Sequence, residues 1–256
     1  HGIWRTSGSQ FTEEFIISES DFKRGIDFQE TEFNATCRID KSSFTGSLSI
    51  CTTSFNSSFE LIKCNLQEEL LLIGLDFKES CCISECNLQG KMRVSRTDFK
   101  GSTQISSSEF HDVVDFSNSK MAGSIRIDSC EFYEKLIWDN LSCVLGSTFN
   151  MTDCVLSDFF LFRNSALAAS KTDIAFCEFK EHVIWDNVMI SVDEMTFYDC
   201  AFSSYFDLRS VSFEKPNCLS FVRINGNDIR ISRHQLEDAI YVAKIRGTAE
   251  EKKKRY

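Results

Sequence analysis

Cys81 and Cys82 adjoin, and Cys86 follows four residues later. Thiols so spaced can grip a metal or exchange disulfides, so they come first in any search for chemistry. Most of the twelve cysteines nevertheless fall on one recurring grid. Cys37, Cys64, Cys81, Cys86, Cys130, Cys177 and Cys200 lie two places before a repeating apolar position, and Cys143 and Cys154 lie on it. Both kinds of position are read as inward, where a thiol serves as a small hydrophobe. Strand alternation sends Cys82 outward while Cys81 points in, so the trio does not converge on a metal. No disulfide is expected, and that many unpaired thiols imply an intracellular, reducing compartment. His1, His111, His182 and His234 stand too far apart for zinc spacing. The chain has no G-x-S-x-G elbow, Walker loop or dinucleotide fingerprint. Asp21, Glu32, Asp76, Asp98, Glu109 and Glu131 sit beside grid positions and read as a solvated face. The N-x-S/T sequons at Asn34, Asn56, Asn140 and Asn150 are what chance supplies in so Ser/Thr-rich a chain. The sequence therefore predicts no catalytic, cofactor-binding or metal site.

One recurrence stands out. "CEFYEKLIWDN" (130–140) returns as "CEFKEHVIWDN" (177–187). Trp138 and Trp185 fall on grid positions, and Asp139, Asn140, Asp186 and Asn187 turn the adjoining corner. These six residues form the candidate interaction patch, against the plainer reading of a duplicated packing unit.

The grid itself decides the fold class. Steps of eleven from Phe11 give Phe22, Phe33, Phe44, Phe55, Leu66, Phe77, Leu88, Phe99, Phe110, Met121, Phe132, Cys143 and Cys154. A second series six residues later runs Ile17, Phe28, Ile39, Ile50, Leu61, Leu72, Ile83, Val94, Ile105, Phe116, Ile127, Trp138, Phe149 and Phe160. Every one of these positions is apolar, where composition alone would fill roughly twelve of 28. An eleven-residue period can also signal a right-handed coiled coil. Steps of six and five, however, turn an α-helix by about 240° and about 140°, so the landmarks would form no stripe. A strand solenoid fits. Eleven residues close a loop of at most roughly 36 Å, too small for two inward Phe rings. Twenty-two residues, with landmarks at 6-5-6-5, make a four-sided coil.

The units "TDFKGSTQI", "CNLQGKMRV" and "SSFTGSLSI" resemble the pentapeptide-repeat superfamily in its divergent form with an eleven-residue period. Its central position is apolar, with a small inward residue two places earlier. The first series supplies that residue as Ser20, Thr31, Ser42, Thr53, Cys64, Cys86, Thr97, Ser108, Ser119 and Cys130. The second series departs from it, with Leu48, Phe59, Leu70 and Met92. The resemblance covers about residues 9–225. It implies an all-β solenoid, a right-handed quadrilateral parallel β-helix of about 22 residues per coil, and it implies little about chemistry.

The reading divides the chain into a lead-in at 1–10, the β-helix at 11–231 and C-terminal helices at 232–256. The register runs unbroken through Phe160 and slips near 161–173 and 191–197, each slip read as a loop at a corner. "SRHQ" (Ser232 to Gln235) reads as a capping box opening a helix with Leu236, Ile240 and Ala243 on one face, ended by Gly247. "TAEE" (Thr248 to Glu251) opens a second. The first helix is expected to cover the C-terminal end of the core, which an open solenoid requires. The chain begins at His1 and stops after "KKKRY", as a piece of a longer protein would. By resemblance a membrane-spanning or other effector domain could lie downstream, although no run here is long and apolar enough to span a bilayer.

The formal charge is −10, with −12 on residues 1–233, which argues against direct nucleic-acid binding. The leading functional expectation is a non-enzymatic protein-interaction, scaffold or sensor module of a larger bacterial-type protein, cytoplasmic or on the cytoplasmic face of a membrane. Its partner would be a protein, and a homodimer is compatible with it. The alternative is a DNA mimic that inhibits a topoisomerase or another DNA-binding protein. Net charge supports that, but the stacked columns Asp21, Ser43, Asn65, Asn87, Glu109, Glu131 and Glu32, Ser54, Asp76, Asp98, Lys120 are not unbroken acidic stripes. A catalytic β-helix comes third, for want of a cluster of functional groups.

Overall fold

The computed structural model describes residues 2–232, 235 and 240–245. The chain is an all-β parallel solenoid of about ten turns. Its first turn consists of β1 (Trp4–Ser7), β2 (Gln10–Phe11), β3 (Phe15–Ser18) and β4 (Asp21–Phe22). The same alternation of four-residue and two-residue strands recurs, with one short exception at Val114–Asp115, as far as Leu136–Asp139, beyond which longer strands such as Ser142–Thr152, Ala166–Ala175 and Leu219–Arg230 run through some of the corners. Pairing is parallel and offset by 22 residues: Trp4 opposes Ile26, Phe11 opposes Phe33, Phe15 opposes Cys37 and Phe22 opposes Phe44.

Why the chain turns where it does is written in its backbone. Glu19, Glu30, Lys41, Thr52, Lys63, Gly74, Glu85, Arg96, Ser107, Asn118, Ser129 and Asn140 recur every eleven residues with φ between 48° and 67°. A single left-handed residue bends the chain out of the strand's line, and Gly, Asn and Asp adopt that conformation most readily. The next residue is the small inward one. Its hydroxyl or thiol donates to the carbonyl two residues back: Ser42 to Asp40 at 2.9 Å, Thr53 to Cys51 at 3.0 Å and Ser108 to Ser106 at 2.8 Å. Cys64, Cys86, Cys130 and Cys154 make the same bond through sulfur at 3.2–3.3 Å. The position thus selects a small side chain that can also donate, a role the spacing alone does not reveal.

The chain also bends after each of the two-residue strands. There successive backbones nearly touch. A Cβ on Gly101 would lie 2.0 Å from the Glu79 carbonyl oxygen, and one on Gly123 1.9 Å from that of Gly101. This close approach explains the glycine two places after the landmark in the "F-x-G" units.

Inside, both landmark series face the axis. Phe11, Phe33, Phe55, Phe77 and Phe99 stack with ring centroids 4.9–5.1 Å apart and planes within 12° of parallel. Each such pair contributes about 0.5–1.5 kcal/mol beyond the area it buries. Leu48, Phe59, Leu70 and Met92, the bulky departures from the family pattern, are also fully buried. All twelve cysteines are free, and ten are buried.

Three expectations are corrected. The register does not run unbroken to Phe160. Met121 opposes Cys143, but Ile125 opposes Phe149, so two residues enter between Cys143 and Phe149. Ile127 therefore opposes Met151, and Phe132 opposes Leu156, which places Cys154 beneath Cys130 at the small position. A shift of two keeps the same residues inward, so apolar periodicity cannot detect it. The later slips lie at the same corner, which spans 168–171, 191–194 and 214–218 in successive turns.

The C-terminal helix is the second correction. Ser232 and Gln235 do form reciprocal capping bonds, with Ser232 N–H donating to Gln235 Oε1 at 2.7 Å and Gln235 N–H donating to Ser232 Oγ at 3.4 Å. Ile240 and Ala243, however, lie in the strand Ile240–Ile245, paired parallel to Leu219–Arg230. The unpaired edge of the last turn offers these residues ladder bonds, and tertiary pairing overrides a helical spacing. The Gln235 amide donates to the carbonyls of Leu208, at 2.7 Å, and Val211. Leu236, Gly247 and the "TAEE" box lie outside the described residues. Among the described residues no helix is long and apolar enough to cross a membrane.

The third correction concerns the tryptophans of the candidate patch, Trp138 and Trp185, which are buried in the core. Two stability predictions follow from the stacking. Phe99→Ala should cost about 3–5 kcal/mol, as truncation of a buried aromatic does, whereas Lys100→Ala should leave the urea midpoint unchanged. Gly101→Ala should destabilise by about 1–3 kcal/mol through the backbone clash. Equal midpoints for all four proteins would contradict the inward assignment and the close approach together.

Candidate interaction surface

Trp138 and Trp185 are 2% and 3% exposed. They lie in the core with Phe162 between them: Trp138 opposes Phe162, and Phe162 opposes Trp185. The rings meet edge to face at 5.6 and 5.3 Å, with planes 89° and 90° apart. Neither indole can touch a partner, so both leave the candidate patch. Their recurrence two turns apart is a packing pattern in which each large indole is separated from the next by a smaller phenylalanine. Both indole N–H groups are buried without a hydrogen-bond acceptor.

The polar half of the motif does assemble. Asn118, Asn140, Asn164 and Asn187 occupy one left-handed corner in four successive turns, with φ of 57°, 56°, 50° and 53°. Their amides form a ladder. Asn140 donates to Asn118 Oδ1 at 2.8 Å, and Asn187 donates to Asn164 Oδ1 at 3.0 Å. Asn164 donates instead to Asp139 Oδ1 at 2.9 Å, and Arg163 reaches Asp139 Oδ2 at 3.2 Å. Arg163 also opposes Asp186 in the next turn. The two sequence copies are thus joined by "FRN" (Phe162 to Asn164) of the intervening turn, and Asp139, Arg163 and Asp186 alternate in sign up the corner. Arg163 and Asn164 escaped the sequence reading because they sit in the stretch taken for a register slip. The signal that could have found them is the match of F-R-N to W-D-N at 24 and 23 residues.

A second feature was missed. The residues between the two-residue and four-residue strands carry Asp112, Glu134, Asp158 and Glu181 at equivalent places in four successive turns. Rings interleave with them. His111 stacks on Tyr133 with centroids 4.5 Å apart, and His182 stacks on Tyr205 at 3.8 Å and lies beside Phe159 at 5.2 Å. Lys135 covers Phe159 at 5.7 Å, and Arg230 covers Tyr205 at 3.9 Å. The sequence reading followed the columns beside the landmarks, not those two places further on. Ser204 Oγ and His182 Nδ1 share a hydrogen bond. Among the described residues no carboxylate bonds to the other nitrogen of that ring, so the pair lacks the orienting acid of a nucleophilic triad. It serves as a step in the stack.

Elsewhere the functional groups are dispersed. Among the described residues no three Cys, His, Asp or Glu converge as metal ligands would. Cys81 is buried while Cys82 is only half-buried. Burial pushes the Cys143 thiol up to about 12 and raises Cys37 and Cys81 strongly. Cys130 and Cys177 are raised first by sulfur–sulfur hydrogen bonding to Cys154 and then by burial. Thiols held protonated in this way are poor nucleophiles at neutral pH.

The asparagine corner makes a prediction about its own residues. Asn164→Val should destabilise by about 1–2 kcal/mol, because a β-branched residue resists the left-handed conformation. Asn164→Gly should cost less than the valine variant, since glycine adopts that φ freely. Denaturation midpoints in the reverse order would show that the corner is not held by backbone conformation. Comparison of the chain with protein-family models, with curated proteins and with solved structures returns no match.

Proposed function

We propose that this chain is a non-enzymatic protein-interaction module, a scaffold or sensor of a larger, bacterial-type protein, built as a right-handed quadrilateral β-helix of the pentapeptide-repeat kind. In this reading it works in the cytoplasm or on the cytoplasmic face of a membrane, takes no cofactor and makes no direct contact with nucleic acid. A membrane-spanning or other effector domain downstream belongs to the same reading. The supporting observation is the Asp139–Arg163–Asp186 corner with its asparagine ladder. It is a strip of fixed, alternating charge whose members are held by neighbouring turns and need not be ordered when a partner docks. Asp186 and Asn187 are exposed on it.

The DNA-mimic reading is favoured by a different observation, the column Asp112, Glu134, Asp158 and Glu181. Against it, the column spans only four turns, and Lys135 and Lys180 flank it. The pairings also place Asn65, Asn87 and Glu109 in one column and Asp98 and Lys120 in another, so neither of those is uniformly acidic.

The two readings separate on salt and on sequence. An interaction module should capture its partner from cell lysate through the mixed-charge corner, so Arg163→Ala with Asp186→Ala should abolish capture while circular dichroism stays unchanged. Capture by a DNA mimic should instead fall steeply between low and physiological salt, because its contacts are mainly ionic. The expected result is no inhibition of a purified topoisomerase. Strong inhibition, lost in the double variant Glu134→Gln with Asp158→Asn, would replace the first reading by the second.

A further inference from the structure

The outward side of one face breaks the polar rule that most of its turns keep. Alternate residues of a strand point out, and the middle outward position of this face reads Asp27, Ser49, Leu71, Arg93 and Asp115 in successive turns. The next three turns place Ile137, Leu161 and Ile184 there, each paired with the next, before Asp207 restores a charge. All three are only partly buried. The fold does not require an aliphatic residue at a position that Asp, Ser and Arg also fill.

The neighbouring outward positions frame these side chains. Two residues earlier stand Lys135, Phe159 and His182, with Tyr205 in the following turn. His182 stacks on Tyr205 and lies beside Phe159, so the rings form a wall. Beyond the wall come Glu134, Asp158 and Glu181. Two residues later than the aliphatic column stand Asp139, Arg163 and Asp186 of the mixed-charge corner. Lys135 lies over Phe159, and Lys180 is exposed beside Glu181. With both lysines included, carboxylates still outnumber cations along either margin. The result is an apolar strip three turns long, walled by rings on one side and acidic at both edges.

We infer that this strip receives an amphipathic α-helix of a protein partner, lying along the rod with basic residues on its flanks. The inference rests on the interaction-module reading and names the kind of partner that reading requires. Spacing selects the helix. Ile137 and Ile184 are two turns apart, about 9.6 Å at the usual separation of paired strands. Helix residues i, i+4 and i+7 share a face and span about 10.5 Å, so three anchors meet the three aliphatic side chains one to one. An extended segment laid the same way repeats its like-facing side chains about every 6.7 Å and falls out of step. Charge selects the flanks. Carboxylates at both edges favour Lys and Arg and oppose an acidic helix. They also oppose a second copy of the same face, whose edges carry the same excess.

The probe is a fluorescent synthetic peptide of about 18 residues, long enough to populate a helix. It carries Leu at i, i+4 and i+7 and Lys on the flanks. One control peptide replaces Lys by Glu, and another keeps the composition but places Leu at alternate residues. By fluorescence anisotropy the Lys-flanked helix should bind the whole chain at least about tenfold more tightly than either control. Leu161→Ser with Ile184→Ser should weaken it at least about tenfold, whereas Leu71→Ser, at the isolated outward leucine of an earlier turn, should leave it unchanged. Glu134→Lys with Glu181→Lys should make the Glu-flanked peptide the tighter ligand, a gain that an unfolded variant could not show. Equal binding of the three peptides, no binding by any of them, or indifference to Leu161→Ser with Ile184→Ser would overturn the inference. So would a dimer in light scattering that the same double substitution dissolves, which would assign the strip to a second copy. Capture of a partner from lysate that needs Arg163 and Asp186 but not Leu161 and Ile184 would overturn it too, and would leave the interaction-module reading standing.

Discussion

Coil-to-coil backbone pairing is the constraint on which the rest of this protein depends. Most strands are short, two or four residues, and none could persist alone. Its amides and carbonyls are satisfied only by the strands one turn above and below, as where Phe15 N–H bonds Thr36 C=O and Ile26 N–H bonds Ser47 C=O. Successive turns must then have matching lengths wherever strands run. In this chain the extra residues that shift the register after Met121 enter at one corner, at 144–148, 168–171, 191–194 and 214–218, and further shifts lie at Phe202/Tyr205 and at Phe221/Ile224.

The same pairing stacks like on like. Phenylalanine meets phenylalanine, asparagine meets asparagine, and thiol meets thiol from Cys130 through Cys154 and Cys177 to Cys200. Inside, the consequence is a continuous packed axis. On the surface, the consequence is that like groups recur in columns along the rod. The mixed-charge corner of Asp139, Arg163 and Asp186 and the acidic corner of Asp112, Glu134, Asp158 and Glu181 are two such columns. Among the described residues the Gln235 amide and the strand Ile240–Ile245 meet the turn that ends at Arg230, and Trp4 packs on Phe15 and Phe22.

How much of this was legible beforehand follows from what repeats. The inward assignment of Phe99, Ile105 and Phe110 came from steps of six and five, because those positions recur often enough to exceed composition. The small inward residue was legible as a size preference. Its hydrogen bond to the carbonyl two residues back was not, because Ser, Thr and Cys look alike in a count of small side chains. Asn140 and Asn187 stood out as a repeated corner. Their left-handed backbone explains them more directly than recognition does, and the asparagine between them, Asn164, was hidden by an insertion whose place had been misread.

By itself the sequence determined the class of fold, the 22-residue turn and the inward faces, because each depends on a local period that every unit restates. Only the tertiary structure decided which residues oppose which after Cys143, since a two-residue shift leaves every side chain on its former face. It also decided that Ile240 and Ala243 lie in a strand, because the open edge of the preceding turn outweighs their helical spacing. And it alone showed that Arg163 of the intervening turn sits between Asp139 and Asp186, because that pairing depends on the shifted register.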